Sequence, residues 1–393
     1  MQYDLDELRQ KISDTDAQIL TLLSDRLSYT QQVAETKIAT HTNVRDAARE
    51  EQLLVSLVKQ GSKLNLDPLY ITKLFHVIIE NSVLQQQALL AEKANPSLVQ
   101  PLQRVSFLGN KGSYSYLATK RYFSRRAGEL HEMGFSSFEE VLQKVENNEA
   151  DYAVLPIENT TSGSINEVYD LLQHTSLHII GEVTQPVEHA LLTKPSSTDI
   201  SQIKQICGHP QALAQCRTFI DSQDNLERVA CDNTSAAMLK VSESDSDDMA
   251  ALGSVEGGEE YGLVPLRKSL ANQKENHTRF IVIARKPVKV PLQIPAKTTI
   301  VMSTIQKPGS LVEALLVLKN NNINMTKLES RPINGNPWEE MFYLDVRGNI
   351  EDGPMLQVLE ELGAITRSLK VLGCYACEEV NNTKVPLHEA LSE

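Results

Sequence analysis

The segment LDELRQKISDTDAQILTLLSDRLSYTQQVAETKIAT, residues 5–40, repeats apolar side chains at alternating three- and four-residue steps. This heptad spacing predicts one long helix with an apolar seam. The seam positions are Leu5, Leu8, Ile12, Thr15, Ile19, Leu22, Arg26, Tyr29, Val33 and Thr36. Arg26 therefore stands where packing asks for an aliphatic side chain. Lys37, further along the helix, returns to within about 20° of the face that holds Arg26.

Arg26 and Lys37 place two cations on one helix face in a chain whose net charge is -13. A charge in an apolar seam needs a partner, because burying an unpaired cation costs a large amount of free energy. The pair therefore indicates a pocket for a small polyanion. The helix alone leaves a second interpretation open, in which the segment is a coiled coil with one polar residue that sets its register.

Length and composition restrict the class of protein. A chain of 393 residues is too long for a single core, so we expect two or three domains. Lysine and arginine total 38 against 51 aspartate and glutamate residues, which argues against a nucleic-acid partner. The first residues, MQYDLDE, are acidic where a signal peptide is basic, and no apolar run reaches about 18 residues. We therefore expect a cytoplasmic protein without a membrane partner.

The five cysteines are an odd number in a large chain, which predicts free thiols in a reducing compartment. Cys374 and Cys377 have a spacing found in redox and zinc sites. They lie in an apparent strand without a second pair of ligands, so we assign them no metal and no redox role.

Three helices are predicted in the first quarter of the chain, at residues 5–40, 46–62 and 68–92. Asp67 is the expected N-cap of the third, with Pro68 in its first turn. A helix of about 36 residues is about 54 Å long. Its two shorter companions cannot cover that length, so we expect this part of the chain to dimerise.

From Arg104 onward, short apolar runs end in small polar residues and alternate with helical patterns, which is typical of an α/β domain. The predicted strands are residues 105–108, 152–155, 178–183, 203–207, 228–231, 250–252 and 280–284. The proline-containing segments 92–103 and 286–297 are predicted linkers on either side of this domain.

The C-terminal part follows a different order. Strand, helix, strand, strand, helix and strand are predicted at residues 299–306, 310–320, 325–333, 340–347, 354–362 and 368–375. This βαββαβ order is ferredoxin-like. Residues 334–337 are predicted to connect the two middle strands.

Further polar side chains accompany the seam cations. Ser82 and Gln86 share a face of the third predicted helix. Asp46, Arg49 and Glu50 share a face of the second by the same spacing. Together they suggest hydrogen-bonding groups aimed at the cations, although a solvated helix face explains each of them singly.

Arg9 lies about 100° around the first helix from Arg26, so it cannot easily enter the same pocket. We expect it to reach the pocket of a partner chain in an antiparallel or helix-swapped dimer. The motifs LRQKI at 8–12, VRD at 44–46, RE at 49–50 and ENSVLQQ at 80–86 resemble the all-helical chorismate mutase domain. That family forms a dimer with exchanged helices, which agrees with the dimerisation expected from the length of the first helix.

The resemblance implies the site and the reaction of this domain. Its residues would be Arg9 of the partner with Arg26, Lys37, Asp46, Arg49, Glu50, Ser82 and Gln86. Chorismate rearranges to prephenate by an intramolecular pericyclic shift, which needs no nucleophile, metal or cofactor. The protein would hold the dicarboxylate in its reactive shape and stabilise charge on the breaking ether oxygen.

Each implied role follows the chemistry of the side chain. Arg9 and Arg26 would clamp carboxylates. Lys37 and Gln86 would donate hydrogen bonds to the ether oxygen. Asp46 and Glu50 would contact or support the substrate hydroxyl.

Four polar stretches of the α/β domain follow predicted strands at helix starts, where free N–H groups and the helix dipole favour anions. They are GNKGS at 109–113, NTTSG at 159–163, HPQ at 209–211 and NTS at 233–235. Helix capping explains each alone. Together, at the carboxyl ends of strands, they predict a cleft for a small anionic ligand. The first stretch is neither a Walker A loop nor a dinucleotide fingerprint.

The stretch TRF at 278–280, with PIENT at 156–160 and GNKGSYS at 109–115, resembles prephenate dehydratase. Asn110 and Tyr116 depart from the proline and histidine that are usual in that family. The resemblance implies a two-lobed fold like that of periplasmic binding proteins, with the active site between the lobes. The implied reaction removes carbon dioxide and hydroxide from prephenate to give phenylpyruvate.

We expect Thr278 to donate a hydrogen bond to the leaving oxygen, because its hydroxyl is too weak an acid to protonate it. Glu158, if desolvated, is the expected proton source. Arg279 is an expected carboxylate partner, as is Lys111, although either could form a structural ion pair instead. The predicted substrate-binding residues of this domain are Ser113, Asn159 and Arg279.

The motifs GSLV at 309–312 and ESRP at 329–332 resemble the ligand-binding motifs of the ACT regulatory domain, with Ser310 in place of the usual alanine. The implied effector residues are Gly309, Ser310, Leu311, Val312, Glu329, Ser330, Arg331 and Pro332. Phenylalanine is the implied effector, and it would inhibit by shifting a conformational equilibrium. A ferredoxin-like module that serves only dimerisation remains the alternative.

The sequence thus predicts three domains. They are an all-α mutase of three helices at 1–92, an α/β two-lobed dehydratase at 104–285 and an α+β ferredoxin-like ACT domain at 298–380. We expect a bifunctional enzyme of phenylalanine biosynthesis, active as a homodimer or a higher homo-oligomer and without cofactor. A mutase fused to a dehydrogenase would need a nucleotide-binding motif, which is absent from the sequence. A non-enzymatic amino-acid sensor is the second hypothesis, and the seam cations argue against it.

Overall fold

The computed structural model describes residues 4–223, 226–333 and 339–378. The predicted connection at 334–337 and the last two residues of the predicted third domain lie outside these ranges. Contacts divide the chain into two compact units. The first unit consists mainly of Met1–Pro96 with Pro291–Ile294, and the second of Ser97–Val290 with Pro295–Cys377.

Three helices form the first unit: α1 Leu5–Thr40, α2 Ala47–Lys63 and α3 Pro68–Ala94. Each begins at an aspartate whose carboxylate accepts a backbone N–H of the first turn, and the three N-caps are Asp4, Asp46 and Asp67. Both α1 and α2 pack against α3. The predicted bounds of α1 are confirmed, and the other two helices differ from prediction by one or two residues.

The apolar side of α1 is largely exposed in the single chain. The seam residues Leu5, Ile12, Leu22 and Tyr29 are 60, 60, 67 and 64% exposed. A monomeric protein rarely leaves so long an apolar stripe in water. The first unit therefore presents a surface suited to a further helical partner.

The second unit contains fifteen strands among the described residues. In chain order they are β1 Leu102–Leu108, β2 Glu129–Phe135, β3 Tyr152–Asn159, β4 Gly163–Ser164, β5 His178–Pro186, β6 Ala190–Thr193, β7 Gln205–Gly208, β8 Glu227–Ala230, β9 Met249–Gly253, β10 Val264–Arg267, β11 His277–Ala284, β12 Ala296–Thr304, β13 Asn324–Pro332, β14 Glu340–Arg347 and β15 Thr366–Ala376. Its α-helices are α4 Tyr114–Phe123, α5 Phe138–Glu146, α6 Asn166–His174, α7 Pro210–Gln215, α8 Arg217–Asp221, α9 Thr234–Glu243, α10 Val255–Glu259, α11 Ser310–Asn320 and α12 Gly353–Ile365.

Two sheets make the α/β part of this unit. The first has the order β2-β1-β3-β11-β5 with β4 beside β3, and the second has the order β10-β6-β9-β7-β8. The chain passes to the second sheet after β5 and returns through β11, which pairs antiparallel with both β3 and β5. Each sheet has its own apolar core, so the α/β part is two-lobed, as predicted.

The third sheet has the order β13-β14-β12-β15, and its neighbouring strands run antiparallel. The predicted βαββαβ element order is confirmed. One face packs on α11 and α12 through a core that includes Ala314, Leu344 and Val358. The other face packs on the first sheet, where Tyr343 shares a buried apolar cluster with Ile179. The first sheet is thus covered by the third.

Among the described helices, none combines the length and the apolar character that a membrane crossing requires. Cys374 and Cys377 are buried and outside any disulfide, and burial raises the pKa of Cys374. Cys374 lies in β15, so the predicted strand at this spacing is confirmed.

Candidate active sites

Arg26 on α1 and Ser82 on α3 meet in the helical unit. The guanidinium donates a hydrogen bond to the Ser82 hydroxyl and another, of 3.4 Å, to the carbonyl of Ile78. Burial lowers the pKa of Arg26. Since both acceptors are neutral oxygens, the guanidinium retains its charge for an anionic ligand.

Lys37, near the end of α1, folds back on the loop that precedes α2. Its ammonium group donates a hydrogen bond to the Val44 carbonyl. Burial lowers the pKa of Lys37, and the negative charges of Asp46 and Glu50 oppose that shift. The Glu50 carboxylate is itself paired with Arg45 at 3.2 Å. The structure thus brings two other predicted residues, Asp46 and Glu50, near the half-buried ammonium group of Lys37.

Gln86 is buried on α3, one turn beyond Ser82. Its amide nitrogen donates to the Ser82 carbonyl at 3.3 Å, while Oε1 has no hydrogen-bond partner among the described residues. An unpaired buried polar atom costs about 1–3 kcal/mol. Turning the amide about its last bond exchanges the two atoms and offers an N–H group instead. Gln86 therefore has an unused hydrogen-bonding position beside Arg26 and Ser82.

Arg9 and Arg49 lie outside this cluster in the single chain. Arg9 pairs with Asp6 at 3.2 Å, and its side chain is 69% exposed. Helix geometry places Arg9 about 25 Å from Arg26 along α1. Arg49 is exposed, and its backbone N–H donates to the N-cap carboxylate of Asp46 at 3.0 Å.

Thr278 and Asn159 are paired neighbours on β11 and β3. The Asn159 side-chain nitrogen donates to the Thr278 hydroxyl at 2.9 Å. The Asn159 side-chain oxygen accepts the backbone N–H groups of Thr161 and Ser162, both at 3.0 Å. A backbone N–H can only donate, so the orientation of this amide is settled. Thr278 therefore accepts a hydrogen bond from Asn159 and keeps its own proton for another acceptor.

A polar cavity of about 290 Å³ lies beside this pair. Its lining residues come from the turn after β3, from α7 and from the segment before β11, and they are Thr161, Ser162, Gln211, Ala214, Gln215, Ala271, Asn272, Gln273 and Asn276. The Asn276 amide links the lining to the pair, because its oxygen accepts from Asn159 at 2.8 Å. Apart from Ala214 and Ala271, the lining side chains are therefore neutral hydrogen-bonding groups.

Sequence reasoning missed Gln215 and Asn276. Gln215 ends the helix that the HPQ stretch begins, and Asn276 stands two residues before Thr278. In the sequence, the only sign of a functional role for either residue was an amide side chain close to the HPQ or the TRF stretch. Amides are common on surfaces, so that signal is weak without the fold.

The four polar stretches meet in two pairs, as the cleft prediction requires. The backbone N–H of Asn110 donates to the Ser235 hydroxyl at 3.1 Å. The Gln211 amide donates to the Ser162 hydroxyl at 2.6 Å. In each pair one stretch belongs to the first sheet and the other to the second, so the cleft lies between the lobes.

Ser113 and Lys111 occupy different environments in the first of these stretches. The Ser113 hydroxyl donates to the Leu108 carbonyl at 3.3 Å and accepts the backbone N–H of Tyr116 at 3.2 Å. It is thus the N-cap of α4 and is buried. Lys111 is exposed, and its carbonyl accepts the Tyr261 hydroxyl at 2.6 Å.

Glu158 and Arg279 face the opposite side of β3 and β11 from the pair. The Arg279 guanidinium contacts the carboxylates of Glu158 at 2.9 Å and Glu182 at 2.7 Å, and also that of Asp345. Lys327 pairs with Glu158 at 2.9 Å. Burial opposes ionisation of Glu158, but hydrogen bonds from Lys327 and Arg279 outweigh it and lower its pKa.

This arrangement corrects two predicted roles. Glu158 is held ionised between two cations, so it is unsuited to be the proton source. Arg279 is surrounded by three carboxylates and is not free to bind a substrate carboxylate. The physical reason is strand geometry: successive side chains point to opposite faces, so the neighbours of Asn159 and Thr278 face the third sheet.

The two predicted effector motifs lie on α11 and β13. Gly309 precedes α11 with a φ of 86°, and the Ser310 hydroxyl donates to the Lys307 carbonyl at 3.0 Å. Ser310 is buried, Leu311 is half-buried and Val312 is 59% exposed. The start of α11 therefore offers an apolar side chain to solvent.

In β13, alternate residues of the second motif have different neighbours. Arg331 pairs with Asp170 of α6 through two hydrogen bonds of 2.9 and 2.7 Å. Glu329 accepts a hydrogen bond from Ser164. Ser330 and Pro332 are exposed. The two charged members of this motif thus contact the α/β part of the unit.

Both the helical part and the α/β part of the chain match known families. Residues 8–87 match the chorismate mutase type II family, and residues 105–288 match the prephenate dehydratase family. A solved structure of prephenate dehydratase from Arthrobacter aurescens, in complex with L-Phe, is 28% identical with a TM-score of 0.64. The matched region covers 73% of this chain and 94% of the Arthrobacter aurescens chain. The fold and the sites therefore define an enzyme with two catalytic domains, an isomerase and a lyase.

Relatives that span almost the whole chain join the two activities. The bifunctional chorismate mutase/prephenate dehydratase of Enterobacter agglomerans is 52% identical over 373 residues, which cover 95% of this chain and 96% of the relative. The enzyme of the same name from Escherichia coli (strain K12) is 51% identical over 376 residues, with coverage of 95 and 96%. This chain belongs to the family of bifunctional chorismate mutase/prephenate dehydratases.

Proposed function

We propose that residues 1–92 convert chorismate to prephenate, that residues 104–285 convert prephenate to phenylpyruvate, and that residues 298–380 are an ACT domain that binds phenylalanine. The observation that carries the proposal is the polar cavity beside the Thr278–Asn159 pair, because the pair and the cavity lining offer directed hydrogen-bond donors in the cleft between the two lobes. The helical unit supplies the other activity through its seam cations.

In the mutase site, Arg26 binds a carboxylate of chorismate and Lys37 donates to the ether oxygen. Both cations are half-buried, which strengthens their interaction with an anion relative to water. Gln86 supplies the second donor to the ether oxygen once its amide gives up the 3.3 Å hydrogen bond to the Ser82 carbonyl and turns its nitrogen to the substrate. Because the reaction is unimolecular, holding the substrate in its compact shape supplies much of the acceleration.

In the dehydratase site, Thr278 donates its free proton as a hydrogen bond to the departing hydroxyl of prephenate. As that oxygen gains charge, the Asn159 N–H supports the threonine oxygen from behind. Aromatisation of the ring drives the loss of carbon dioxide. Glu158 has no part in this step, since its ionised carboxylate faces the third sheet.

We propose a homodimer or higher homo-oligomer in which Arg9 reaches the mutase pocket of a partner. The support is the exposed apolar stripe of α1 and the exposed position of Arg9 in the single chain. The cytoplasm remains the proposed compartment, because the five cysteines lie outside any disulfide and so suit a reducing environment.

Phenylalanine is the proposed effector, and the L-Phe complex of the Arthrobacter aurescens dehydratase supports this choice. The third sheet contacts the catalytic strands directly: Lys327 pairs with Glu158, and Asp345 contacts Arg279 beside Thr278. An effector that repositions β13 or β14 therefore acts on residues adjacent to Asn159 and Thr278. That contact gives the effector a physical route to dehydratase turnover.

One assay tests the whole proposal. Purified enzyme given chorismate should form phenylpyruvate, and millimolar phenylalanine should suppress its formation. Prephenate that accumulates without phenylpyruvate would remove the dehydratase assignment. Unchanged turnover with phenylalanine would remove the effector assignment, and the absence of any conversion would favour the amino-acid sensor.

Replacing Arg331 with glutamine should raise the half-inhibiting concentration of phenylalanine by about tenfold, because the change breaks the two-bond contact with Asp170 and uncouples β13 from α6. Asp170→Asn should give the same shift. Dose–response curves of dehydratase activity measure the effect, and calorimetry measures phenylalanine binding. Arg367→Gln, which removes an exposed ion pair to Glu339, is the matched control. An unchanged inhibition curve for both coupling variants would contradict this role.

A further inference from the structure

We propose that His189 is a positioning residue of the dehydratase site. As the tautomer protonated on Nε2, it holds the Gln215 amide so that one N–H points into the polar cavity toward an anionic substrate such as the dicarboxylate prephenate. The inference rests on the proposed assignment of that cavity as the dehydratase site. Neither residue belongs to the predicted site residues.

His189 lies immediately before β6 and is 2% exposed. Its Nδ1 is 3.1 Å from the Tyr114 hydroxyl and its Nε2 is 2.9 Å from Oε1 of Gln215. Its carbonyl accepts the backbone N–H of Leu270 at 3.0 Å. Both ring nitrogens and the main chain are therefore engaged, which fixes the ring against the end of α7.

The backbone after β3 determines which atom of each amide faces its neighbour. Asn159 must present its nitrogen to Asn276, because its oxygen already accepts two backbone N–H groups. That nitrogen donates to the Asn276 oxygen at 2.8 Å. The Asn276 nitrogen in turn donates to Oε1 of Gln215 at 3.1 Å. The atom of Gln215 that faces His189 is therefore an oxygen.

An oxygen acceptor requires a proton on Nε2 of His189. Burial lowers the pKa of His189, although the hydrogen bond to Gln215 opposes that shift. The ring is therefore neutral near pH 7, and Nδ1 is left as an acceptor. The Tyr114 hydroxyl faces Nδ1 and also lies 2.8 Å from the Glu188 carbonyl. The single Tyr114 proton has two possible acceptors, Nδ1 and the Glu188 carbonyl, so it is the Gln215 oxygen that selects the tautomer.

This chain of donors leaves one N–H of Gln215 for a ligand. One amide hydrogen points to the Thr161 hydroxyl at 2.8 Å. Within residues 4–223, 226–333 and 339–378, no protein acceptor takes the second. Gln215 lines the polar cavity, and Asn276 connects that lining through Asn159 to Thr278. The second N–H of Gln215 is therefore the donor that the proposal directs at the substrate. His189 and Asn276 hold the amide oxygen from behind, which prevents the amide from turning.

Without the Nε2–H group of His189, the Gln215 amide should lose its fixed orientation, and its N–H should no longer point to the substrate. We expect His189→Leu to lower the dehydratase kcat/KM by about 10²-fold, the usual consequence of misplacing a site by about 1 Å. His189→Gln keeps an amide N–H near the position of Nε2 and should stay within about threefold of wild type. His189→Asn places its N–H near Nδ1 instead and should behave like the leucine variant. Mutase activity of each preparation is the internal control, and thermal unfolding checks the second unit.

The outcomes separate this inference from the site assignment. Equal losses in the glutamine and leucine variants, or wild-type activity in the leucine variant, would overturn the role of His189. Full dehydratase activity in Thr278→Ala and Gln215→Ala would instead overturn the assignment of the cavity. A spectroscopic test needs no variant: ¹⁵N spectra of the labelled full chain should show His189 protonated on Nε2 near neutral pH. A signal from the Nδ1-protonated tautomer would contradict the inference.

Discussion

Replacing Thr278 with alanine should lower the dehydratase kcat by about 10²- to 10³-fold, the cost of removing one preorganised donor to a developing negative charge. The Thr278 hydroxyl accepts from Asn159 at 2.9 Å and so keeps its proton for the leaving oxygen. Mutase activity should remain unchanged, because the mutase residues belong to the first unit. Phenylpyruvate formation from prephenate and prephenate formation from chorismate are measured on the same preparation.

Thr278→Ser is the matched control, since it restores the hydroxyl without the methyl group. It should recover most of the lost turnover. Equal loss of both activities in the alanine variant would point to misfolding. An alanine variant that turns over prephenate at the wild-type rate would show that another group assists the departure of hydroxide.

Replacing Lys37 with alanine should abolish mutase activity and leave dehydratase activity standing. Lys37 is a half-buried cation whose pKa is lowered by burial, and it lies at the point where Asp46 and Glu50 approach. Removing a charged donor from such a site costs about 10²-fold or more in turnover. Lys11→Ala is the control on the same helix, because the Lys11 side chain is 67% exposed. Mutase activity above a tenth of wild type would count against the assignment.

The same variant tests whether Arg9 serves a partner chain. Arg9→Ala alone should also be inactive as a mutase. When the Arg9→Ala and Lys37→Ala chains are unfolded together and refolded, half of the dimers are mixed, and each mixed dimer contains one intact site. Mutase activity should then recover to about a quarter of wild type. No recovery in a preparation shown to contain mixed dimers would mean that each site is built from one chain.

Much of the fold is encoded locally and could be predicted from the sequence. The heptad seam and the aspartate caps delimit α1, and the apolar run at 299–306 anticipates β12. The strands that escaped prediction are short or carry polar residues: β6 and β10 have four residues each, and β2 contains His131 and Glu132. Such strands are stabilised by neighbours in the sheet, which a local pattern does not reveal.

The candidate site was only partly predictable for a different reason. Thr278 and Asn159 stand in recognisable stretches, and the structure pairs them. Glu158 and Arg279 stand in the same stretches, but their side chains point to the other face of the strands. Which face lies against the third sheet depends on register and on contacts between distant parts of the chain, so sequence proximity alone suggested the wrong partners.

The paired strands β3 and β11 form a single layer, with the Asn159–Thr278 pair on one face and the third sheet against the other. One of its surfaces bears neutral hydroxyl and amide groups, and the other bears ions that neutralise one another. A change of side chain on the ionic surface alters how the third sheet is attached, yet it leaves the composition of the catalytic surface intact. Substitutions on the two surfaces should therefore act separately, those on the ionic surface through the position of the third sheet and those on the neutral surface through the bound substrate.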